Sequence, residues 1–197
     1  DLDLEALSGA VDDLVARNEV LRTTYPEVDG APVQRIHEPA AGVLQREPVD
    51  ASAGFDLTSQ LPLRAGLTPA GDDSWLLELV LHHISTDGAS LAPLAHDLAT
   101  AYTARRSGSV PLRRPLPAQF ADFARLVRAS EAPADEAEQV GAWTAHLEGA
   151  PSVLQLPADG ARAAQSAQPA GQLDFSVPAK VAGALGSVAA GRSASAF

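Results

Sequence analysis

The residues of this chain best suited to chemistry lie together at positions 81–88, where two adjacent histidines precede an aspartate and a glycine. His83 and Asp87 place an imidazole and a carboxylate in one short turn. An unperturbed imidazole titrates near pH 6.5, so a carboxylate-oriented histidine can act as a general base at neutral pH. Gly88 allows a sharp backbone bend where a helix begins. The pattern predicts proton-transfer chemistry, with a metal site or a purely structural turn as alternatives.

The two histidines are separated by strand alternation. Residues 75–81 are almost entirely apolar, which predicts a strand buried on both faces that ends at the histidines. Successive side chains of a strand point to opposite faces, so His82 and His83 should face opposite sides. One of them can face a site, and the other should then be structural. The end of a buried strand that leads into a helix is also where α/β folds hold ligands.

Other elements must position this segment. Apolar residues at three- and four-residue spacing predict helices at about 3–21, 118–129, 134–148 and 178–190, and one that follows the histidines and ends at Gly108. Alternating apolar residues predict strands at 33–36, 61–67 and 173–177. A hairpin loop is predicted at 68–73, a tight turn at Asp29 and Gly30, and a loop or linker at 157–171.

The composition excludes several classes of function. A net charge of −11 argues against binding to nucleic acids or anionic membranes, which requires clustered lysine and arginine. No apolar run approaches the roughly 20 residues of a membrane span. Cysteine is absent, which removes disulfides, thiol nucleophiles and cysteine-ligated zinc. We therefore expect a cytoplasmic protein that binds neither nucleic acid nor membrane and holds no metal.

Four segments resemble, in order, motifs of the condensation domains of nonribosomal peptide synthetases. Residues 82–90 are similar to HHxxxDGxS and residues 17–25 to RHExLRTxF. Residues 119–124 are similar to the start of YxDFAxWQ, and residues 143–157 to a stretch with Trp, Leu and a closing Leu-Pro. The wider superfamily includes chloramphenicol acetyltransferase. The resemblance implies an α/β fold: a chloramphenicol acetyltransferase-like lobe whose mixed β-sheet is flanked by helices.

The family's opening motif and second lobe have no counterpart in the chain. The resemblance therefore implies that residues 1–177 are an N-terminal lobe, incomplete at its start, and that residues 178–197 begin a truncated second lobe. Because the family's site lies between two lobes, we expect these residues to be inactive alone.

The resemblance also implies roles for individual residues. His83 corresponds to the active-site histidine, which acts as a general base or positions the acceptor amine. Gly88 corresponds to the glycine whose amide lies near the thioester carbonyl. His82 corresponds to a structural histidine. Asp87 corresponds to a structural aspartate that pairs with the arginine matched by Arg17.

The implied reaction is amide-bond formation between a donor aminoacyl or peptidyl thioester and the α-amine of an acceptor aminoacyl thioester. Both would be tethered by phosphopantetheine to donor and acceptor carrier proteins, with no cofactor bound directly. Neighbouring adenylation and carrier domains of one synthetase would be the partners. The alternatives are an acyltransferase of the same superfamily that uses a coenzyme A thioester, and a non-catalytic relative that recruits a partner enzyme.

Overall fold

The computed structural model describes residues 1–109, 111, 116–130, 133–154, 157 and 173–195. The chain divides into two compact units, Asp1–His146 and Leu147–Phe197. The predicted lobe boundary at 177/178 stays a prediction.

The first helix, α1 (Leu4–Arg17), forms because apolar residues recur along one face and because Asp3 caps its start. An Asp3 carboxylate oxygen accepts from the Ala6 N–H at 2.9 Å. The helix ends four residues before the predicted limit. Asn18 takes an extended backbone, its side chain donates to the Leu14 carbonyl, and a 3₁₀ turn (Glu19–Arg22) follows.

Short strands follow α1 in two antiparallel pairs. β1 (Thr23–Thr24) pairs with β4 (Arg35–Ile36), and β2 (Glu27–Val28) pairs with β3 (Ala31–Pro32). Asp29 and Gly30 join β2 to β3, and both have positive φ, 52° and 79°. Positive φ at both central residues is the geometry of a tight hairpin turn, so the predicted Asp-Gly turn is confirmed.

A mixed three-stranded sheet carries the histidine segment. Its order is β5 (Leu44–Gln45), β6 (Leu63–Pro69), β7 (Trp75–Leu81), with β5 parallel and β7 antiparallel to β6. The predicted hairpin between β6 and β7 is confirmed, and the Ala70 N–H donates to the Ser74 carbonyl within its loop. The predicted α/β fold with a mixed sheet flanked by helices is likewise confirmed.

The expectation that β7 is buried on both faces is wrong for this structure. Trp75 and Leu76 are 42% and 51% exposed, and the rest of the strand is half-buried. The physical reason is position, because β7 is an edge strand of the sheet in the described part of the chain. An apolar run shows that a strand can be buried, but neighbours on each side decide whether it is.

Helix α2 (Leu91–Arg106) packs against α1 and closes the core of the first unit. Arg105 makes a two-bond ion pair with Asp13 of α1, at 2.9 and 2.7 Å. Gly108, with φ of 70°, lies just beyond the helix as predicted. The central buried cluster joins α1, the 3₁₀ turn and β6 through Leu14, Val15, Leu21 and Leu63.

The remaining helices are α3 (Phe120–Ser130) and α4 (Pro133–His146) in the first unit and α5 (Ala179–Ala190) in the second. Each lies within two residues of its predicted limits. The strand predicted at 173–177 is wrong, because these residues form no strand in the structure and Leu173 and Phe175 are 85% and 80% exposed. Most of the loop predicted at 157–171 lies outside the described residues.

Candidate active site

The histidine segment leaves the end of β7 and is held there by His82. The His82 N–H donates to the Pro62 carbonyl at 2.9 Å, next to the start of β6. Its ring nitrogen Nδ1 accepts from the Ile84 N–H at 3.0 Å, and its carbonyl accepts from the Ser85 N–H and hydroxyl. The ring is half-buried. His82 therefore uses its ring and backbone to shape the loop.

His83 has a different environment. Its side chain is exposed, and the Asp87 carboxylate lies close enough to interact with it electrostatically. Both histidines lie just beyond β7, which ends at Leu81, so the placement on opposite faces that strand alternation predicts stays a prediction. Of the two adjacent histidines, His83 is the one that is exposed to solvent.

Asp87 caps the turn that begins α2. Its Oδ1 accepts from the Ser90 N–H at 2.9 Å and from the Ser90 hydroxyl at 2.7 Å. In return the Asp87 N–H donates to the Ser90 hydroxyl at 3.1 Å. This reciprocal arrangement is a capping box, which satisfies free N–H groups at a helix start. The carboxylate is used for structure.

Replacing Asp87 tests whether its charge matters to the cap. The pKa of Asp87 is lowered from its ordinary 3.8, first by the Ser90 hydroxyl and then by the Ser90 N–H. A lowered folded pKa adds stability above the unfolded pKa, and that stability is lost as the pH falls through the folded value. We expect wild type to exceed Asp87→Asn in stability at neutral pH, with the difference shrinking as the pH falls below the ordinary value of 3.8 and through the lowered pKa of Asp87.

Urea unfolding of the two proteins over this pH range measures the effect, which should be small because the carboxylate is exposed. Asn keeps an oxygen that can accept from the Ser90 N–H, whereas Asp87→Ala removes it and should destabilise the fold at every pH. A difference between wild type and Asp87→Asn that does not change with pH would exclude a contribution from the charge.

Gly88 opens the 3₁₀ turn (Gly88–Ser90), where the first N–H groups lack partners within the turn. Nothing lies within 4 Å of the position that a Cβ would take. Its backbone is not among those with positive φ, so the expected glycine-dependent bend is not found. The absence of a side chain leaves open space beside the Gly88 Cα.

Arg17 does not pair with Asp87 as expected. Its Nε donates to Asp97 Oδ2 at 3.0 Å, and both side chains are about three-quarters buried, with exposed fractions of 21% and 24%. Asp97 lies in the middle of α2, so the ion pair joins the end of α1 to that helix. The cause is geometric, because the packing of α2 brings Asp97, and not Asp87, to the Arg17 guanidinium.

Gln119 links the upstream and downstream motifs. Its side-chain amide donates to the Arg17 carbonyl at 3.0 Å, and its oxygen accepts from the Glu19 N–H at 3.2 Å. Sequence reasoning missed both Gln119 and Asp97 as members of this cluster. Asp97 had one weak signal, because it lies three residues after Leu94 and so near the face of α2 that packs on the core.

A cavity of about 380 Å³ lies between the end of α1, the histidine loop and the start of α2. Val20 and Leu21 form part of its apolar wall, and Ser85, Thr86 and Asp97 are among its polar lining residues. His83 and Gly88 are not among the residues that line it. The loop therefore has a cavity on one side and presents the His83 imidazole elsewhere.

The chemistry that this arrangement supports is proton transfer or amine binding at the exposed imidazole of His83. In the described residues no group of three histidine, aspartate or glutamate side chains is placed to hold a metal ion. No described helix is both long enough and apolar enough to cross a membrane.

Comparison with known proteins assigns the chain to one family. The profile of the family described as "Condensation domain" matches residues 1–196. The chain is 42% identical over 174 residues to a probable non-canonical nonribosomal peptide synthetase, CymA, from Salinispora arenicola, covering 80% of this chain and 2% of that protein. It is 38% identical over 177 residues to an isonitrile lipopeptide synthase from Mycobacterium tuberculosis, covering 79% and 7%.

Among solved structures, the complex of the X-domain and OxyB from teicoplanin biosynthesis matches with a TM-score of 0.82 and 32% identity. The match covers 98% of this chain and 46% of the other. The chain thus spans less than half of each of these relatives.

Proposed function

The chain belongs to the condensation-domain family, and we propose from that membership that it carries the His83 side of an amide-forming site in a nonribosomal peptide synthetase. The reaction would join a donor aminoacyl or peptidyl thioester to the α-amine of an acceptor aminoacyl thioester. The assignment of His83 and Gly88 to this reaction, and of His82, Asp87 and Arg17 to supporting roles, is part of the proposal.

The exposed imidazole of His83 is the observation that carries the proposal. His82 is committed to the loop, Asp87 to the cap of α2, and Arg17 to Asp97. His83 is the member of this cluster whose side chain is exposed and not committed to a cap or loop bond. A group that must meet two substrates needs that accessibility.

The proposed step conserves atoms and charge. The acceptor amine nitrogen attacks the carbonyl carbon of the donor thioester, so that a C–N bond forms and the C–S bond breaks. As a general base, His83 takes a proton from the amine and returns it to the departing sulfur. The Gly88 N–H donates to the carbonyl oxygen as negative charge develops there.

The tethers and partners follow from the reaction. Thioesters of this kind would arrive on the phosphopantetheine arms of a donor and an acceptor carrier protein, and adenylation domains of the same synthetase would load them. No directly bound cofactor is required. Since the chain spans 46% of its X-domain match, we propose that the working site needs residues outside these 197.

The experiment uses the complete protein that contains this chain. It is mixed with aminoacyl carrier proteins as donors and acceptors, and the acceptor carrier is analysed by mass spectrometry for a new amide. The expected product gains the mass of the donor acyl group. Formation of the amide only from acyl coenzyme A, and not from the carrier-bound donor, would favour the related coenzyme A-dependent acyltransferase instead.

A second candidate function is recruitment of a partner enzyme without catalysis. It is favoured by the structural match to an X-domain in complex with OxyB. A recruiting domain would bind its partner equally well with or without the His83 imidazole, and it would yield no amide in the carrier-protein assay. The same mass-spectrometric experiment therefore separates the two candidates.

A further inference from the structure

The loop between β5 and β6 is ordered by its own carboxylates. Asp50 Oδ1 accepts from the N–H and hydroxyl of Ser52, at 2.8 and 2.6 Å. Asp56 Oδ1 accepts from the N–H and hydroxyl of Thr58, at 3.1 and 2.6 Å. The pKa values of Asp50 and Asp56 are lowered mainly by hydrogen bonds from Ser52 and from Ser59, respectively. These turns place the intervening Phe55 in a defined position.

Arg64 of β6 binds the same loop through hydrogen bonds to its backbone carbonyls. Its guanidinium donates to the carbonyls of Ala53, at 2.9 Å, and Asp50, at 3.3 Å, and also to the Gly54 carbonyl. The planar group lies over the Phe55 ring, with Cζ 4.0 Å from the ring centroid. A lysine ammonium at this position would lose both the planar stacking on the aromatic ring and the forked hydrogen bonds that the guanidinium donates.

Phe55 in turn contacts the first histidine of the pair. The Phe55 and His82 rings are T-shaped, with centroids 5.7 Å apart and planes at 88°. His82 Nδ1 accepts from the Ile84 N–H, so a neutral His82 carries its proton on Nε2. Two contacts therefore determine the orientation of the His82 ring: the T-shaped contact with Phe55 and the hydrogen bond that Nδ1 accepts from Ile84.

We propose that the stack of Arg64, Phe55 and His82 is a positioning device for the histidine loop, in which Arg64 and Phe55 hold the His82 ring so that the loop presents His83. This inference rests on the proposed function of His83, because its effect on rate acts through that residue. Neither Arg64 nor Phe55 is assigned contact with substrate.

The order of contacts explains how the effect would be transmitted. The His82 N–H is anchored to Pro62, two residues before Arg64 on the same strand segment. The His82 ring and carbonyl fix Ile84 and Ser85 on the far side of His83. Because His83 lies between these anchors, a rotated His82 ring displaces its backbone. Displacements of about 1 Å can cost about 100-fold in rate.

The test compares Phe55→Leu, Phe55→Tyr and Arg64→Lys in the complete protein that contains this chain. Phe55→Leu removes the ring, and we expect kcat for amide formation to fall about 10- to 100-fold with little change in KM. Phe55→Tyr keeps the ring and should retain most of the rate. Arg64→Lys keeps the charge without the fork and should lie between them. The matched control is Phe175→Leu, at a residue that is 80% exposed.

Nitrogen chemical shifts of His82 supply a second readout, which reports the state of the ring independently of the rate of amide formation. Wild type and Phe55→Tyr should show the proton on Nε2, and Phe55→Leu should show a mixture of tautomers. A Phe55→Leu protein that matches Phe175→Leu in rate and keeps the wild-type His82 shifts would overturn the proposal. If wild type forms no amide at all, the proposed function fails, while the His82 shifts still decide whether the stack holds the ring.

Discussion

Replacing His83 with alanine should reduce amide formation by the complete protein about 10²- to 10⁴-fold, the usual contribution of a positioned acid–base group. His83 is exposed, so the substitution removes no core packing and should leave the melting temperature nearly unchanged. The measurement is the initial rate of acyl transfer between carrier proteins, followed by mass spectrometry. Loss of rate without loss of stability would separate chemistry from folding.

The control for this variant is His96→Ala. His96 lies on α2, 13 residues further along the chain, and is also exposed. It should react at the wild-type rate. Near-normal amide formation by His83→Ala would remove His83 from the mechanism, although the protein would still be an amide-forming enzyme.

Comparison of wild type with His83→Ala also distinguishes the two roles proposed for His83, which are general base and positioning of the acceptor amine. If His83 is a general base, the pH profile of kcat/KM should change shape in His83→Ala. A residue that only holds the amine would instead affect KM more than the shape of the pH profile. A profile of unchanged shape in the alanine variant would therefore support positioning.

Replacing Leu14 with alanine should destabilise the chain by about 2–5 kcal/mol, the cost of removing a buried leucine side chain and leaving a cavity. Leu14 is fully buried in the cluster that joins α1, the 3₁₀ turn and β6. A domain is stable by only about 5–15 kcal/mol, so the loss is a large share of the total. The measurement is the urea midpoint of unfolding at neutral pH.

The control is Leu126→Ala on α3, where the same chemical change occurs in a helix. Leu126 is 67% exposed, so the variant should lie within about 0.5 kcal/mol of wild type. Equal destabilisation by both substitutions would mean that the α1 core is not the main source of stability. An unchanged slope with urea would show that the comparison is of stability alone.

The local elements were predictable because each depends on neighbours in sequence. Helix α1 follows from apolar spacing, and the hairpin of β6 and β7 follows from an alternating segment and an apolar run on either side of a loop with proline and glycine. The prediction of a strand at 173–177 was wrong because it rested on alternation alone. Alternation alone does not make a strand, because a strand needs a partner to accept its hydrogen bonds.

The sequence by itself determined the family and the order of its motifs, because motif spacing is a local property. Only the tertiary structure decided that Arg17 pairs with Asp97, 80 residues away. It also decided the stack behind His82 and the exposure of β7. Such contacts depend on how helices and strands pack. Local spacing carries no information about which distant side chains will be in contact in the folded chain.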